Sequence, residues 1–396
     1  MDQWLKDFKD ERQKYGITQE QLAIYMDVSK MTVNRIETGK YNVSKKLREK
    51  LQDALGSLKK KPQLSFLLDY VRIRIPTNDF AKVVEDILCI SLRHFRHEEY
   101  GFYTYSEHYV LGNIFVLISD KVELGTLIEL KGQGCREFEQ YLDLQGRTWY
   151  DFFHVCWGED AVFKRIDLAI NDHVGILKIG SLIDRCRDNL YWSKFKSFED
   201  YSSGRKSSVG REAEKATMGR TLYIGSKTSE IYFCLYEKDY EQFVKKGIAL
   251  EEADIKNRFE IRLKDERAFH AIYDFMEKAD EESTIFSIIN NYVRFFDAPA
   301  TRHTPEKPCP MWEWFLGKNR DKLKLTTKPE PYRLEKTIGW LEHQVMPSQK
   351  MLERIDALNG TSYMKEIATN VRLSERHLKI IKQQTTPIED MVNVNR

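Results

Sequence analysis

The sequence predicts an α+β protein: an all-α N-terminal module, a central and mainly antiparallel sheet with helices, and a helical C-terminal part. Two observations carry this. Short runs alternating apolar and polar residues, as at 67–75 and 161–173, are interleaved with stretches at helical spacing, and several of the runs lie close enough to pair as hairpins. Residues 1–60, in contrast, read as helices alone. The chain of 396 residues, 41% hydrophobic and 12% aromatic, is long enough for two or three domains with real cores. The expected boundaries are 1–60, 63–300 and 301–396.

Charge and cysteine content narrow the function classes. Residues 1–61 carry 14 Lys/Arg against 9 Asp/Glu, a net of +5, so the remainder is at −3. A basic first module suits nucleic acid, and the rest leaves room for an acidic site. The six cysteines are scattered, with no zinc spacing, which fits a reducing cytosol. The first residues lack the apolar core of a signal peptide and no run reaches membrane-span length, so the expectation is a cytoplasmic protein without membrane association.

Taken in order, Trp4, Leu5, Phe8 and Arg12 fall at helical spacing. Thr18 is a good N-cap and Gln21, three residues on, completes a capping box. Leu22, Ala23 and Met26 form a short apolar face, Asp27 and Val28 a tight turn. Ser29 caps a second helix in which Val33 and Ile36 face inward, and Gly39 ends it. This is a helix-turn-helix, and it resembles the lambda-repressor-like (XRE-type) family at Thr18, Leu22, Ala23, Val28, Ser29, Val33, Glu37 and Gly39. The resemblance implies that the second helix enters the major groove of DNA, with Ser29, Lys30, Met31, Thr32, Asn34 and Arg35 as the contact residues. The alternative is a helical hairpin for protein contacts. Lys59-Lys60-Lys61-Pro62 reads as a linker.

In the central part, strands are expected at 67–75, 101–108, 113–118, 125–131, 161–173 and 258–263, and helices at 80–88, after Gly134, and at 149–157, 176–186, 267–278 and 283–292. Residues 202–227 form a basic loop with Arg205, Lys206, Arg211, Lys215, Arg220 and Lys227, set against Glu212 and Glu214. It either tracks a phosphate backbone or is an ordinary solvated loop. At 223–241 two apolar runs flank Gly225–Ser229, a hairpin whose second strand places Tyr232, Cys234, Tyr236 and Lys238 on one face. A tyrosine beside a lysine at a strand end is a candidate nucleophile with a cation to stabilise it, or a plain edge tyrosine with a solvated lysine. A helix is expected from about Tyr240.

Three strands carry an acid between apolar neighbours: Glu129, Asp167 and Glu260. A carboxylate there is costly unless paired or metal-bound. Ion pairs to Arg165 or Arg258 explain one such strand. Three, together with the Tyr-x-Lys strand and a DNA-binding module, favour a divalent cation, Mg²⁺ or Mn²⁺, with Asn171 and Asp172 as possible further ligands.

R-I-D-L-A-I-N, L-Y-I-G-S-K-T-S-E-I-Y-F-C-L-Y-E-K and N-R-F-E-I-R-L, in that order, resemble the Rep_trans replication-initiation family, and the N-terminal module with G-Q-G-C-R-E-F-E resembles its MobT-type relaxase branch from integrative and conjugative elements. The resemblance covers about three quarters of the chain. It implies metal-assisted nicking of one DNA strand at an origin of transfer or replication, leaving a 5′-phosphotyrosyl link and a free 3′-OH. The nucleophile falls on Tyr236, its lysine on Lys238, and the acids on Asp167 and Glu260, with Glu129 a looser match. A helicase and a coupling protein are the expected protein partners. Three positions depart from the pattern: Cys234 stands where an arginine is expected, and Asn171 and Arg262 where acids are. Tyr223, Tyr232 and Tyr240 are competing tyrosines. No histidine pair has the spacing of a histidine-dependent nickase. The readings are therefore a conjugative relaxase, a rolling-circle plasmid initiator with the same chemistry, or a non-catalytic transcriptional regulator. Residues 334–345, 349–358 and 363–381 are expected helices, and the Trp312, Trp314, Phe315 cluster a packed helix.

Overall fold

The computed structural model describes residues 2–60, 62–202, 219–278, 280–302, 304–317, 338, 342 and 346–392. Arg205, Lys206, Arg211, Glu212, Glu214 and Lys215 of the basic loop, and most of the helix expected at 334–345, lie outside the described residues. The chain opens with α1 (Gln3–Lys14), α2 (Gln19–Met26), α3 (Lys30–Glu37) and α4 (Lys45–Leu58). There follow β1 (Leu64–Ile75), α5 (Phe80–Lys82), β2 (Arg96–Glu98), β3 (Glu107–Leu111), β4 (Ile114–Ile118), β5 (Thr126–Lys131), α6 (Gln133–Leu144), α7 (Trp149–Gly158) and β6 (Val162–Asp172). Next come α8 (Ile179–Arg187), β7 (Tyr191–Ser193), β8 (Phe198–Ser202), β9 (Arg220–Ile224), β10 (Ile231–Glu237), α9 (Lys238–Lys246) and β11 (Asn257–Lys264). Then α10 (Asp265–Lys278), α11 (Glu281–Tyr292), β12 (Val293–Ala298), β13 (Lys307–Pro308) and α12 (Pro310–Phe315) precede three C-terminal helices, Met346–Asn359, Tyr363–Asn370 and Glu375–Thr385.

These elements form two compact units, Met1–Asp69 with Arg165–Thr326, and Tyr70–Lys164 with Thr327–Arg396. In the first, strands run in the order β6-β11-β10-β9-β8 with antiparallel pairing. Strict alternation gives this sheet two unlike faces. Ile166, Leu168 and Ile170, Phe259, Ile261 and Leu263, Phe233 and Leu235, and Leu222 and Ile224 are buried on one side. There Phe259 stacks on Phe315 of α12 at 5.5 Å and meets Phe233 at 5.3 Å, while Trp312 packs on Phe295 at 4.8 Å. The expected Trp312, Trp314, Phe315 cluster is thus a buried helix. The other face carries acids, arginines and tyrosines.

The helix-turn-helix belongs to the same unit. Thr18 and Gln21 form the expected capping box, Ser29 caps α3, and Asp27 makes the turn in the left-handed region. A buried ion pair locks α1 to α3: Arg12 Nε donates to Glu37 Oε1 at 2.6 Å and Nη2 to Oε2 at 3.0 Å. Nη1 of the same arginine bonds the Ile17 carbonyl.

In the second unit the strand order is β2-β3-β4-β5-β1. Phe138, Trp149, Phe152 and Phe153 of α6 and α7 form its aromatic core. The chain end returns to this unit. Gln383 is buried and donates to the carbonyls of His94 and Val110 at 2.9 and 3.2 Å.

Several expectations are corrected. The strand foreseen from residue 101 begins only at Glu107, because Tyr103 and Thr104 take φ of +56° and +72° and turn the chain. The helix foreseen at 80–88 is one α-turn followed by a π-helical turn, Val83–Ile87. The helix foreseen at 363–381 breaks between Asn370 and Glu375, where Ser374 caps a new helix through a reciprocal bond with His377. Strands β2, β7, β8 and β12 had no clear sequence signal. Among the described residues no helix is long and apolar enough to cross a membrane.

Removing Arg12 leaves Glu37 charged and out of water. Arg12→Ala is expected to cost roughly 3–5 kcal/mol, and Arg12→Lys less, read as urea midpoints followed by far-UV circular dichroism.

Candidate active site

β10 ends at Glu237 and turns at once into α9, whose first residue is Lys238. Lys238 is therefore not a strand residue, as the alternation suggested. The turn nevertheless brings its ammonium 3.3 Å from the Tyr236 hydroxyl, and it also pairs with Glu241 on the same helix. Cross-strand register sets the rest. Tyr236 lies opposite Arg258 and Cys234 opposite Glu260. Arg258, Glu260 and Arg262 lie opposite Asn171, Ala169 and Asp167. Residues two apart share a face, so these side chains converge on one surface.

Glu260 is 3% exposed. Its Oε1 accepts a hydrogen bond from the Tyr236 hydroxyl at 2.8 Å, and its Oε2 accepts from Arg262 Nη2 and Nε at 2.7 and 3.0 Å. Asp167, equally buried, accepts a fork from Arg165 at 2.9 and 2.7 Å, and Arg262 Nε lies 3.8 Å from its Oδ2. Arg262 also donates to Tyr232 Oη at 3.1 Å. Arg258 donates to Asn171 at 2.8 Å and to Asp69 at 2.9 Å.

Burial dominates the protonation states. It raises the Tyr236 phenol well above its ordinary value, and the charge of Glu260 raises it further. Tyr236 in the resting protein is a neutral donor held on a carboxylate. Burial lowers the Lys238 ammonium, with the charge of Arg258 acting in the same direction. Asp167 is pushed up to about 6, because desolvation outweighs the bonds from Arg165, and Glu260 adds to the rise.

Beside Tyr236 opens a cleft of about 330 Å³, lined by Thr221, Tyr223, Tyr240, Val244, Lys245 and Arg262 among others. Its mixture of aromatic and basic side chains suits a nucleotide base and a phosphate.

The foreseen metal ligands divide. Asp167 and Glu260 share the surface just described. Glu129 belongs to the other unit, fully buried, where it accepts from the Tyr70 hydroxyl and pairs with Lys131 at 2.8 Å. Asp172 is committed to structure, accepting from the backbone of Gly175 and Leu177 at 2.8 Å each and from Asn257 at 3.0 Å. Asn171 is engaged by Arg258. Among the described residues, no three His, Cys, Asp or Glu side chains are grouped as a metal cage. Asp167 and Glu260 are the two foreseen carboxylates that share this face, and both oxygens of each are bonded, Asp167 by Arg165 and Glu260 by Tyr236 and Arg262.

On the helix-turn-helix, Lys30, Asn34 and Arg35 are exposed and Met31 is 62% exposed, while Thr32 is half-buried. Ser29 uses its hydroxyl to cap α3, accepting from Thr32 N at 3.0 Å. The sequence offered Arg165 and Arg258 as ion-pair partners for a strand acid, and Arg165 does pair with Asp167; the pairing of Arg262 with Glu260 was not foreseen. Arg165, Arg258 and Arg262 alternate with Asp167 and Glu260 along their strands, and that period-two pattern is the signal that places them on the same face.

Residues 161–368 match the replication initiation factor family, Rep_trans. Residues 65–155 match the rolling circle replication initiation protein N-terminal domain, and 8–59 a helix-turn-helix family. A Bacillus subtilis (strain 168) protein named "Putative DNA relaxase NicK" is 35% identical over 328 residues, covering 82% of this chain and 91% of that protein. A rolling circle replication initiator protein from Geobacillus stearothermophilus shares the fold, with a TM-score of 0.55 and 24% identity over 67% of this chain and 99% of that one. On the match over residues 161–368 and the extent of the likeness to the B. subtilis protein, the chain belongs to the replication initiation factor family.

Proposed function

We propose that this protein is a strand-specific DNA nickase, a relaxase, in which Tyr236 attacks the scissile phosphate at an origin of transfer. The observation that carries the reading is the Tyr236 hydroxyl held on Glu260 with the Lys238 ammonium beside it. Family membership and the relative named as a DNA relaxase support it. In the reaction, Glu260 takes the phenol proton as the Tyr236 oxygen bonds to phosphorus. Lys238 stabilises the developing phenolate and the phosphate. The bond to the 3′ oxygen breaks, that oxygen takes a proton from water, and the 5′ phosphate is left on Tyr236 with a free 3′-OH. With Glu260 acting as the base, Asp167 would hold a divalent cation, Mg²⁺ or Mn²⁺, which would supply charge neutralisation at the phosphate. Glu129 is not assigned to that site.

The helix-turn-helix binds duplex near the nick through Lys30, Met31, Asn34 and Arg35, and Arg220, which lines the cleft beside Tyr236, is a further phosphate contact. A helicase and a coupling protein are the expected partners. Rolling-circle replication initiation is the second reading, favoured by the family's own description and served by the same chemistry. A non-catalytic regulator leaves the hydrogen-bonded Tyr236–Glu260–Arg262 chain without a purpose.

Two variants test this. With supercoiled DNA carrying the cognate origin and Mg²⁺ or Mn²⁺, Tyr236→Phe loses nicking by about 10³-fold or more and forms no covalent protein–DNA band on a denaturing gel. Lys238→Ala loses about 10²-fold. Persistence of the covalent band in Tyr236→Phe would move the nucleophile to Tyr232.

Asp167 is neutral below about pH 6 and charged above it. Single-turnover nicking should therefore rise as pH increases through about 6, and Asp167→Asn should lose that inflection. The same raised value means that the folded state holds the proton more tightly, so this group's contribution to stability falls as pH rises from about 4 to 6.

Arg35→Ala should weaken duplex binding across sequences and lower the slope of log K against log salt by about 1, if the guanidinium contacts phosphate. Fluorescence anisotropy at several salt concentrations reads this directly.

A further inference from the structure

The helix-turn-helix is joined to the nicking sheet more tightly than a tethered reader domain needs to be. α4 ends at Leu58 and β1 begins at Leu64, so five residues connect them. Most of the five are themselves held. The backbone N–H groups of Lys59 and Lys60 still bond back into α4, and the Lys59 ammonium pairs with Glu11 at 2.5 Å. At the other end the Gln63 carbonyl accepts from His173 N at 3.0 Å, and Gln63 is buried. Only residues 61 and 62 lie between, and the second is proline. Two residues span at most about 7 Å, far short of a flexible tether.

A second connection lies away from this link. The Lys178 ammonium donates to the Ile24 carbonyl, in the last turn of α2, at 3.2 Å. Its backbone N–H lies 3.2 Å from the sulfur of Met311 in α12. A cation at exposed helix carbonyls is favourable, and Asp27 beside it adds to the attraction. α12 packs on α2, with a small cavity of about 150 Å³ between Ala23, Asp27, Arg185 and Met311. Lys178 is also the N-cap residue of α8, which packs on β9 and β10. A short path thus runs from α2 through Lys178 and α8 to the strand that carries Tyr236. The outer face of α3 stays exposed.

We propose that Lys178 and the short 59–63 link make the helix-turn-helix and the nicking sheet one body, so that the protein measures a fixed distance and rotational phase between its duplex-binding site and the nick. The proposal rests on the nickase reading above. Each inserted base pair moves the nick by about 3.4 Å and turns it by about 35° relative to the bound duplex. A rigid body cannot follow both changes. Lys178 is a positioning residue here and touches no reacting atom.

The test uses the full chain and supercoiled plasmids carrying the cognate origin, with 0, 5 or 10 base pairs inserted between the nick and the segment that the protein protects from DNase I. A short single-stranded oligonucleotide bearing the nick site serves as a substrate that bypasses the duplex contact. Wild type is expected to nick both inserted origins at least about tenfold more slowly than the natural one. Lys178→Ala, and separately a ten-residue Gly/Ser insertion after Lys60, should bring the natural-to-inserted ratio at least threefold closer to one while cleaving the oligonucleotide as fast as wild type. Lys178→Arg should restore the wild-type ratio. Nicking of the inserted origins within twofold of the natural one, or an unchanged ratio in both loosened variants, overturns the proposal. Failure of wild type to cleave even the oligonucleotide overturns the nickase reading, and this proposal with it.

Discussion

The site depends on one carboxylate taken out of water. Glu260 sits mid-strand between Phe259 and Ile261, both in the core, and its charge is tolerable only because both oxygens are bonded. One oxygen fixes the Tyr236 hydroxyl, the other fixes Arg262. Arg262 in turn reaches Tyr232 and lies near Asp167, whose own fork comes from Arg165. Three strands are thereby stitched together across their polar face by side chains that position one another. Loss of any partner exposes the others to an uncompensated charge, which is why the arrangement is specific rather than merely sticky.

Charge balance follows from the same contacts. Asp69 pairs with Arg258, Asp167 with Arg165, Glu241 with Lys238 and Lys245, and Glu260 with Arg262. Where the family pattern resembled here has a further acid, this chain has Arg262. In the resting protein each of these acids is thus paired with a base. The neutral Tyr236 suits that resting state, since a free phenolate beside Glu260 would be strongly disfavoured.

The opposite face of the sheet does different work. Phe233, Phe259, Trp312 and Phe315 bury large apolar area against α12 and make the strands a stiff support. The helix-turn-helix has its own lock, Arg12 on Glu37, which fixes α1 against α3 before any DNA is present. Position on a rigid scaffold, rather than on a loop, gives a nucleophile the repeatable geometry that a displacement at phosphorus requires.

Much of this was legible in the chain. Helix caps are local, so Thr18 with Gln21 and Ser29 announced α2 and α3 correctly. Period-two alternation identified β6, β10 and β11 and put Tyr236, Asp167 and Glu260 on candidate faces. The buried Trp312–Phe315 turn was evident from its aromatic content. Short strands such as β7 and β8 were invisible because three to five residues carry too little pattern, and their pairing comes from neighbours remote in sequence. Tertiary structure alone decided partners. Register placed Arg262 opposite Asp167 and Arg258 opposite Asn171, and made Asn171, a possible further ligand in the sequence, the acceptor of a bond from Arg258. The strand-to-helix turn at Glu237 kept Lys238 beside Tyr236 by a route that alternation did not foresee. Glu129 matched the same local pattern as Asp167 and Glu260, yet belongs to the other unit and bonds Tyr70. A residue's immediate neighbours fix which face it takes. Only the pairing of distant strands fixes what it meets there.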